Sequence, residues 1–343
     1  MKNVNYAKFL ILILCLTTML LFYQRVIFLI DNNVENEESD FDQNLRVDFR
    51  SMTLHIGDFV EKSLNLRGQN PNNLIYVTLI NEAFLEFTLN WLCNTKNMHG
   101  VHENTLIACT DLSSVQKLQV IWPKIKAVLI RMENNSLHYS FSDSLTWGQP
   151  DYVSFMALRA RLISVLVTNG IKFVLFETDA VWTKDAHEFL QSQIRNSMGS
   201  VDILTPKKYE PDFFNRSLCF SPLLVLETGP KVSRFFGHMA DLLADNQSLY
   251  DQDILDDLCK FRYENVRCRF LDYKNVADGY WFYLPDKFKK LYFEKPSIIN
   301  NNFIIGLKHK ITRQALHGYW FLDVRKKYEC DEVLLQKSNI WKK

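Results

Sequence analysis

The sequence has no excess of charge of either sign: 40 Lys and Arg face 39 Asp and Glu, a formal net charge of +1 over 343 residues. Its basic runs are short and scattered, which excludes an electrostatic case for nucleic acid. No C-x-x-C pair occurs, so a structural zinc site has no ligand pattern to rest on. There is no internal repeat. What the chain does have is a hydrophobic content of 47%, enough for the core of one large α/β domain or two modest ones.

Much of that apolar character is concentrated at the N-terminus. "FLILILCLTTMLLFY", Phe9 to Tyr23, carries no charge, and after Gln24-Arg25 the apolar run resumes to Ile30. Roughly twenty helical residues cross a hydrocarbon core. The run fits if Arg25 lies near the far interface with its stem snorkelling. Lys2 and Lys8 precede it, and an acidic stretch, Asp31 to Asp42, comes after it. The positive-inside rule then keeps residues 1–8 cytosolic and translocates the chain beyond residue 30. A cleaved signal peptide is the alternative, but the run is long for one and no A-x-A-like site comes after it. The expectation is a type II membrane protein: an anchor over 9–30, a polar luminal stem over 31–70 and a folded body over 71–343.

Cysteines and sequons agree with a luminal body. Outside the anchor, Cys93, Cys109, Cys219, Cys259, Cys268 and Cys330 form an even set. Their connectivity is open among about fifteen possibilities; Cys259 and Cys268 are nearest in sequence and suit a short loop. Asn134, Asn215 and Asn246 each begin an N-x-S sequon.

From Leu74 onward short apolar runs alternate with helical stretches. "LIYVTLI", "TLIACTD" and "AVLI" read as strands. Ala83 to Met98, "SSVQKLQVIW" and Tyr152 to Thr168 read as helices, the last stopped by Asn169-Gly170. Then comes "KFVLFETD". This alternation predicts an α/β fold with a mostly parallel central sheet flanked by helices. Ligands gather beyond the carboxyl ends of such strands, which is where Glu177 and Asp179 fall.

Two acids one residue apart on a continuing strand point to one side and can meet one cation. Taken alone, such a triplet is more often a pair of solvated loop acids. Asp185, three before Glu188, has capping-box spacing and reads as structural.

Four ordered blocks change that balance. They are "RARLISVLVTNGIKFVLFETDAVW", "SPLLVLETGPKVSRFF", "YDQDILDDL" and "PSIINNNFIIGLKHKITRQALHGYWFLD". In order and spacing, from about residue 150 to 325, the sequence resembles the GT-A-fold nucleotide-diphospho-sugar transferase family, and most the branch containing plant rhamnogalacturonan-II xylosyltransferases. The resemblance implies a GT-A-type Rossmann-like body, a nucleotide-sugar donor (UDP-linked by expectation), a luminal glycan or glycoprotein acceptor, a retaining outcome and residence in the Golgi or ER membrane. It also implies a divalent metal, Mn²⁺ before Mg²⁺. Asp179 takes the place of the second acid of the family's D-x-D. Glu177 replaces the first, keeping the charge on a longer arm. Asn300 stands where the family has a metal-binding His, and an amide oxygen binds transition metals less tightly than imidazole.

Further donor contacts are implied by the same alignment. Lys310 matches a Lys that approaches the diphosphate. Arg159 and Arg161 match an R-x-R; about 200° apart on a helix, they cannot both face one phosphate, and which one does is open. Asp251 and Gln252 match an Asp-Gln element near the reacting sugar, although Asp251 has an alternative use as a helix cap. Asp253 reads as a capping acid on the far side. Thr78 is a donor-base candidate by position alone. Trp182 is expected to pack beside the metal turn, and His187 and His309 to be surface or supporting groups. No covalent nucleophile is evident. The competing readings are an inactive relative that binds a glycan or partner, motivated by Glu177 and Asn300, and a luminal hydrolase using paired carboxylates.

Overall fold

Strands buried on both faces alternate with helices that cover them, and this decides the architecture. The protein is described as a computed structural model over residues 52–69, 74–134, 137–139, 141, 143–183, 186–209, 217–246, 249–292, 295–323, 325–326 and 328–337. In chain order the elements are β1 (Thr53–His55), α1 (Gly57–Gln69), β2 (Leu74–Ile80), α2 (Leu85–Thr95), β3 (Thr105–Cys109), α3 (Leu112–Ile121), β4 (Lys126–Leu129), β5 (Arg131–Asn134) and β6 (Leu137–Tyr139). They continue with α4 (Pro150–Thr168), β7 (Lys172–Leu175), β8 (Val181–Trp182), α5 (Ala186–Ser197), β9 (Ile203–Pro206), β10 (Leu223–Val225), α6 (Pro230–Asp245) and α7 (Asp251–Lys260). The last are β11 (Cys268–Leu271), β12 (Val276–Ala277), α8 (Asp286–Tyr292), β13 (Ile298–Ile299), α9 (Leu307–Leu316) and α10 (Glu332–Lys337).

The central sheet has the order β11-β9-β10-β7-β2-β3-β4. β2 runs parallel to β3 and β7, and β3 parallel to β4. All five residues of β3 and six of seven in β2 are buried, as strands covered on both faces require. The expected mostly parallel sheet is mixed in one place: β10 is antiparallel to both β7 and β9. That reversal matters for function. Leu223 pairs with Leu175, so the residues leading into β10 lie beside the carboxyl end of β7. β12, β13 and β8 form a separate small sheet. Ile299 pairs with Val181, which carries Asn300 alongside the Glu177–Asp179 turn.

α4 lies against α6 and presents Phe155, Leu158, Leu162 and Leu166 to the core. It begins on Pro150 and ends at Asn169, after which Gly170 takes a left-handed φ of 69°. Gly170 N–H donates to Val167 O and Ile171 N–H to Leu166 O, satisfying the last carbonyls as the Asn-Gly stop predicts.

The folded body starts earlier than the sequence suggests. Residues 52–69, expected as stem, form β1 and α1. α1 buries Phe59, Ser63 and Leu66 against the sheet and α4, so a short apolar stripe in a polar stretch belongs to the core. The expected cytosolic residues 1–8, the anchor over 9–30 with Cys15, and the stem through residue 51 lie outside the described residues. Asp185, Asn215 and most of the other two sequons do as well. Among the described residues no helix is long and apolar enough to cross a membrane.

Two disulfides form. Cys259–Cys268 closes the expected short loop, and Cys93–Cys330 joins α2 to the segment before α10. Cys109 and Cys219 do not pair, correcting the expectation drawn from the even count: both are buried free thiols. α2 is also tied to this C-terminal region by Asn90. Its Nδ2 donates to Gln314 Oε1 and Tyr319 O, and its Oδ1 accepts from Phe321 N–H.

Candidate active site

The carboxyl ends of β2 and β7, the approach to β10, the first turn of α7 and the loop before α9 surround one cavity of about 850 Å³. β7 ends at Leu175. Phe176 N–H still donates to Val77 O in the ladder, but Glu177 N–H donates instead to Ser221 Oγ at 3.1 Å. Ala180 N–H then closes a turn on Glu177 O. The two acids therefore do not share a strand face, as a continuing strand would have required. They occupy one turn and meet two different cations.

Asp179 is buried and accepts from Lys310 Nζ at 2.5 Å. Its backbone carbonyl accepts from Gln314 Nε2, so α9 grips the turn twice. Glu177 lies deep in the fold yet opens onto the cavity, with 37% of its side chain exposed. Its Oε1 accepts from Arg159 Nη1 at 2.9 Å. Arg159 comes from the middle of α4 and also donates from Nε to Asp251 Oδ2 at 3.0 Å, with Nη2 on the same oxygen. The guanidinium lies 4.2 Å from the Phe220 ring centre. One buried arginine thus joins β7 to α7 through two carboxylates.

This geometry sets the electrostatics. Desolvation pushes the Glu177 carboxyl above its usual range; Arg159 opposes that shift and neighbouring Asp179 adds to it. Burial alone would lower the Arg159 pKa, but the Asp251 and Glu177 charges outweigh it and hold the guanidinium more firmly protonated. Desolvation, then Asp251, raises Asp253.

The remaining candidates divide. Gln252 lines the cavity, and its Oε1 accepts from Phe220 N–H at 3.3 Å. Asp251 does not cap with its own side chain in the Tyr250 position; its Oδ1 accepts from Gln252 N–H, and it lines the cavity. Asp253 lines it too, correcting its assignment to the far side, because the first turn of α7 faces the opening. Of the R-x-R pair, Arg159 faces the site, while Arg161 is not among the cavity-lining residues. Thr78 is buried within β2 and does not line the cavity; Asn81, three residues on, does. Asn81 Nδ2 donates to Asp143 O, while its buried Oδ1 has no partner among the described residues. Trp182 packs edge-on against Trp91 and Tyr76, close by the turn as expected. His187 bonds the Tyr76 hydroxyl, and His309 is exposed and bonds Ile305 O. Asn246 closes α6 and is exposed.

Asn300 is buried behind the wall rather than lining it. Its Nδ2 donates to Ser221 O at 2.6 Å, and its Oδ1 has no partner among the described residues. An unsatisfied buried carbonyl oxygen is costly, and an amide oxygen is the kind of donor a hard divalent ion takes. Asp179, Glu177 and Asn300 offer oxygens of the type such an ion takes, but Lys310 and Arg159 already engage the two carboxylates. No group of three His, Cys, Asp or Glu side chains that could hold a metal occurs among the described residues.

Paired acids and a lysine at the end of a parallel strand, with an Asp-Gln turn, line one cavity where sheets of this kind bind ligands. The sequence profile of nucleotide-diphospho-sugar transferases matches residues 100–314, more than half of the chain, and the chain belongs to that family. A UDP-D-xylose:L-fucose alpha-1,3-D-xylosyltransferase of Arabidopsis thaliana is 20% identical over 270 residues, covering 74% of this chain and 70% of its own. A second Arabidopsis thaliana enzyme, UDP-D-xylose:L-fucose alpha-1,3-D-xylosyltransferase 1, is 21% identical with 74% and 72% coverage. Among solved structures, mouse xyloside xylosyltransferase 1 has a TM-score of 0.43 at 11% identity, over 67% of this chain and 98% of that one. Glycosyltransferase GlyE of Streptococcus pneumoniae TIGR4 has a TM-score of 0.44 at 15% identity, over 77% of this chain; the chain spans 62% of that structure's length.

Proposed function

We propose that this glycosyltransferase moves a sugar from a nucleotide-diphosphate donor, UDP-linked, to a glycan or glycoprotein acceptor. The observation that carries the reading is the joint convergence of Lys310 on Asp179 and of Arg159 on Glu177 and Asp251 around one cavity. A divalent ion, Mn²⁺ before Mg²⁺, would be held by Asp179, Glu177 and Asn300, and when bound it neutralises charge on the diphosphate. Lys310 supplies a second positive charge where the leaving nucleotide collects negative charge, and its position on α9 is fixed before substrate arrives. Asp251 is held in place by Arg159, where it can accept hydrogen bonds from sugar hydroxyls. Gln252 offers an amide to the same sugar. Asn81 Oδ1, unpartnered at the end of β2, suits an N–H of the donor base.

The apolar run over 9–30 supports a type II anchor, and the two disulfides support an oxidising compartment, so the proposed residence is the Golgi or ER membrane with the catalytic body luminal. Retention of configuration rests on the family resemblance. The engagement of Glu177 by Arg159 favours a second reading, a non-catalytic binder of glycan or partner. The full chain, made in a secretory host, separates them: UDP release is measured against a panel of UDP-sugars with Mn²⁺ and after chelation. Turnover that needs Asp179 supports the transferase. Neither turnover nor nucleotide binding by calorimetry, with biological effect surviving Asp179→Ala, would leave the binder.

A further inference from the structure

Two stacked aromatic pairs line the cavity, and the donor chemistry uses neither. Trp147 and Tyr250 stack with centroids 4.8 Å apart. This pair lies toward the β2 end, because Asn81 bonds the Asp143 carbonyl four residues before Trp147. Tyr280 and Phe303 stack 4.6 Å apart on the loops after β12 and β13. They remain 41% and 36% exposed.

The second pair is held with unusual constraint. At Gly279 an added Cβ would lie 1.9 Å from Asn302 O, so the two loops approach as only glycine allows. Gly279 N–H donates to Asn302 Oδ1 at 2.5 Å. Buried Arg313 donates to Asn302 O and to Asn301 Oδ1, each at 2.7 Å. Buried Asp278 accepts from Tyr280 N–H at 3.0 Å and Tyr209 N–H at 2.7 Å. Phe303 itself takes a left-handed φ of 56°, a conformation that bulky L-residues rarely adopt. Stability alone would place glycine or asparagine there. Strain of this kind persists where the surroundings over-determine it, and it clusters at ligand clamps.

We propose that the Tyr280–Phe303 pair is the acceptor platform and that the acceptor is a pyranoside, its C–H face laid on these rings. The inference rests on the transferase reading above. Aromatic faces are electron-rich and attract the weakly positive C–H edges of a sugar ring. Polar groups stand beside the rings to meet the hydroxyls. Lys208 Nζ is 5.5 Å from the Phe303 ring centre and enters no ion pair among the described residues, and Asp253 lines the same cavity.

The test uses the full chain and saturation-transfer NMR with methyl α- and β-pyranosides of the common hexoses, 6-deoxyhexoses and pentoses. Wild type is expected to pass magnetisation to the ring C–H protons of at least one glycoside. Phe303→Gly is expected to weaken that glycoside about tenfold, Phe303→Tyr to keep it, and UDP binding to be unchanged in both. Phe303→Gly is also expected to melt at or above the wild-type temperature, since glycine relieves the left-handed backbone; a merely structural aromatic would give a lower one. Binding of glycosides unaltered by Phe303→Gly, or of unglycosylated peptides in place of any glycoside, would overturn the platform while UDP binding keeps the transferase reading standing. Loss of UDP binding in wild type would strike that reading itself.

Discussion

Replacing Arg159 by Met is the sharpest probe of the ionic arch beneath the cavity. The Arg159 and Asp251 side chains are 9% and 5% exposed, so the change leaves a buried carboxylate without its cation, and Glu177 loses the same partner. Removing one member of a buried pair costs about 3–5 kcal/mol. At about 2 °C per kcal/mol for a body of this size, the melting temperature should fall by about 6–10 °C. The protonation states give the sign with pH. Burial already raises the Glu177 carboxyl against the opposing Arg159 charge, so without Arg159 its folded-state pKa lies further above the unfolded one. This part of the deficit is absent once it is protonated, below about pH 4, and grows as pH rises through the raised value. Urea midpoints of variant and wild type at pH 7 and pH 5 should therefore lie closer together at pH 5. Adding Asp251→Asn should recover part of the loss at pH 7. A variant within about 1 kcal/mol of wild type at pH 7, or a deficit indifferent to pH, would refute the account.

Other consequences concern chemistry and stability. Lys310→Met should lower kcat for sugar transfer about 10²–10³-fold and, because it leaves the buried Asp179 carboxylate without its cation, should also lower the melting temperature; steady-state kinetics and a thermal melt check both. Asp202 accepts from Arg267 and Lys231; burial alone would raise its carboxyl, but these partners outweigh that and draw it down to about 2. The stability it lends is in place above about pH 4 and lost as pH falls toward 2. Asp202→Asn should cost about 2–3 kcal/mol at pH 7 and converge with wild type near pH 2 in denaturant titrations. Opening Cys93–Cys330 by paired Ser substitutions, across a sequence separation of 237, should cost about 2–5 kcal/mol, read as a lower urea midpoint; an unchanged midpoint would refute the constraint.

Five polar residues of the site were legible from sequence. Asp179, Lys310, Arg159, Asp251 and Gln252 sit in blocks whose order survives in the resemblance, and the structure gathers all five around one cavity. Strand ends were readable because apolar runs stop where burial stops. Long-range geometry was not. Ser221 holds the Glu177 backbone only because β10 runs backwards beside β7, and no local pattern announces a strand's direction. Asn81 replaces Thr78 at the cavity because β2 runs two residues past Thr78, to Ile80, and Asn81 comes next. Phe303 lies in the last block and Tyr280 outside all four, and nothing in the sequence around either foretells the stack. α1 hid inside a polar stretch because its buried stripe is only Phe59, Ser63 and Leu66.

The attachment of α2 to the far C-terminal region through Asn90 and Cys93–Cys330 sets an order of assembly. During translation the early strands can gather on their own, but the ammonium opposite Asp179 arrives with α9, among the last helices to leave the ribosome. A nascent chain halted before residue 307 would expose a half-built acidic recess with no lysine to answer it. Thiol oxidation at Cys93 must wait still longer, for residue 330, and so marks a chain whose reaction chamber has already been enclosed.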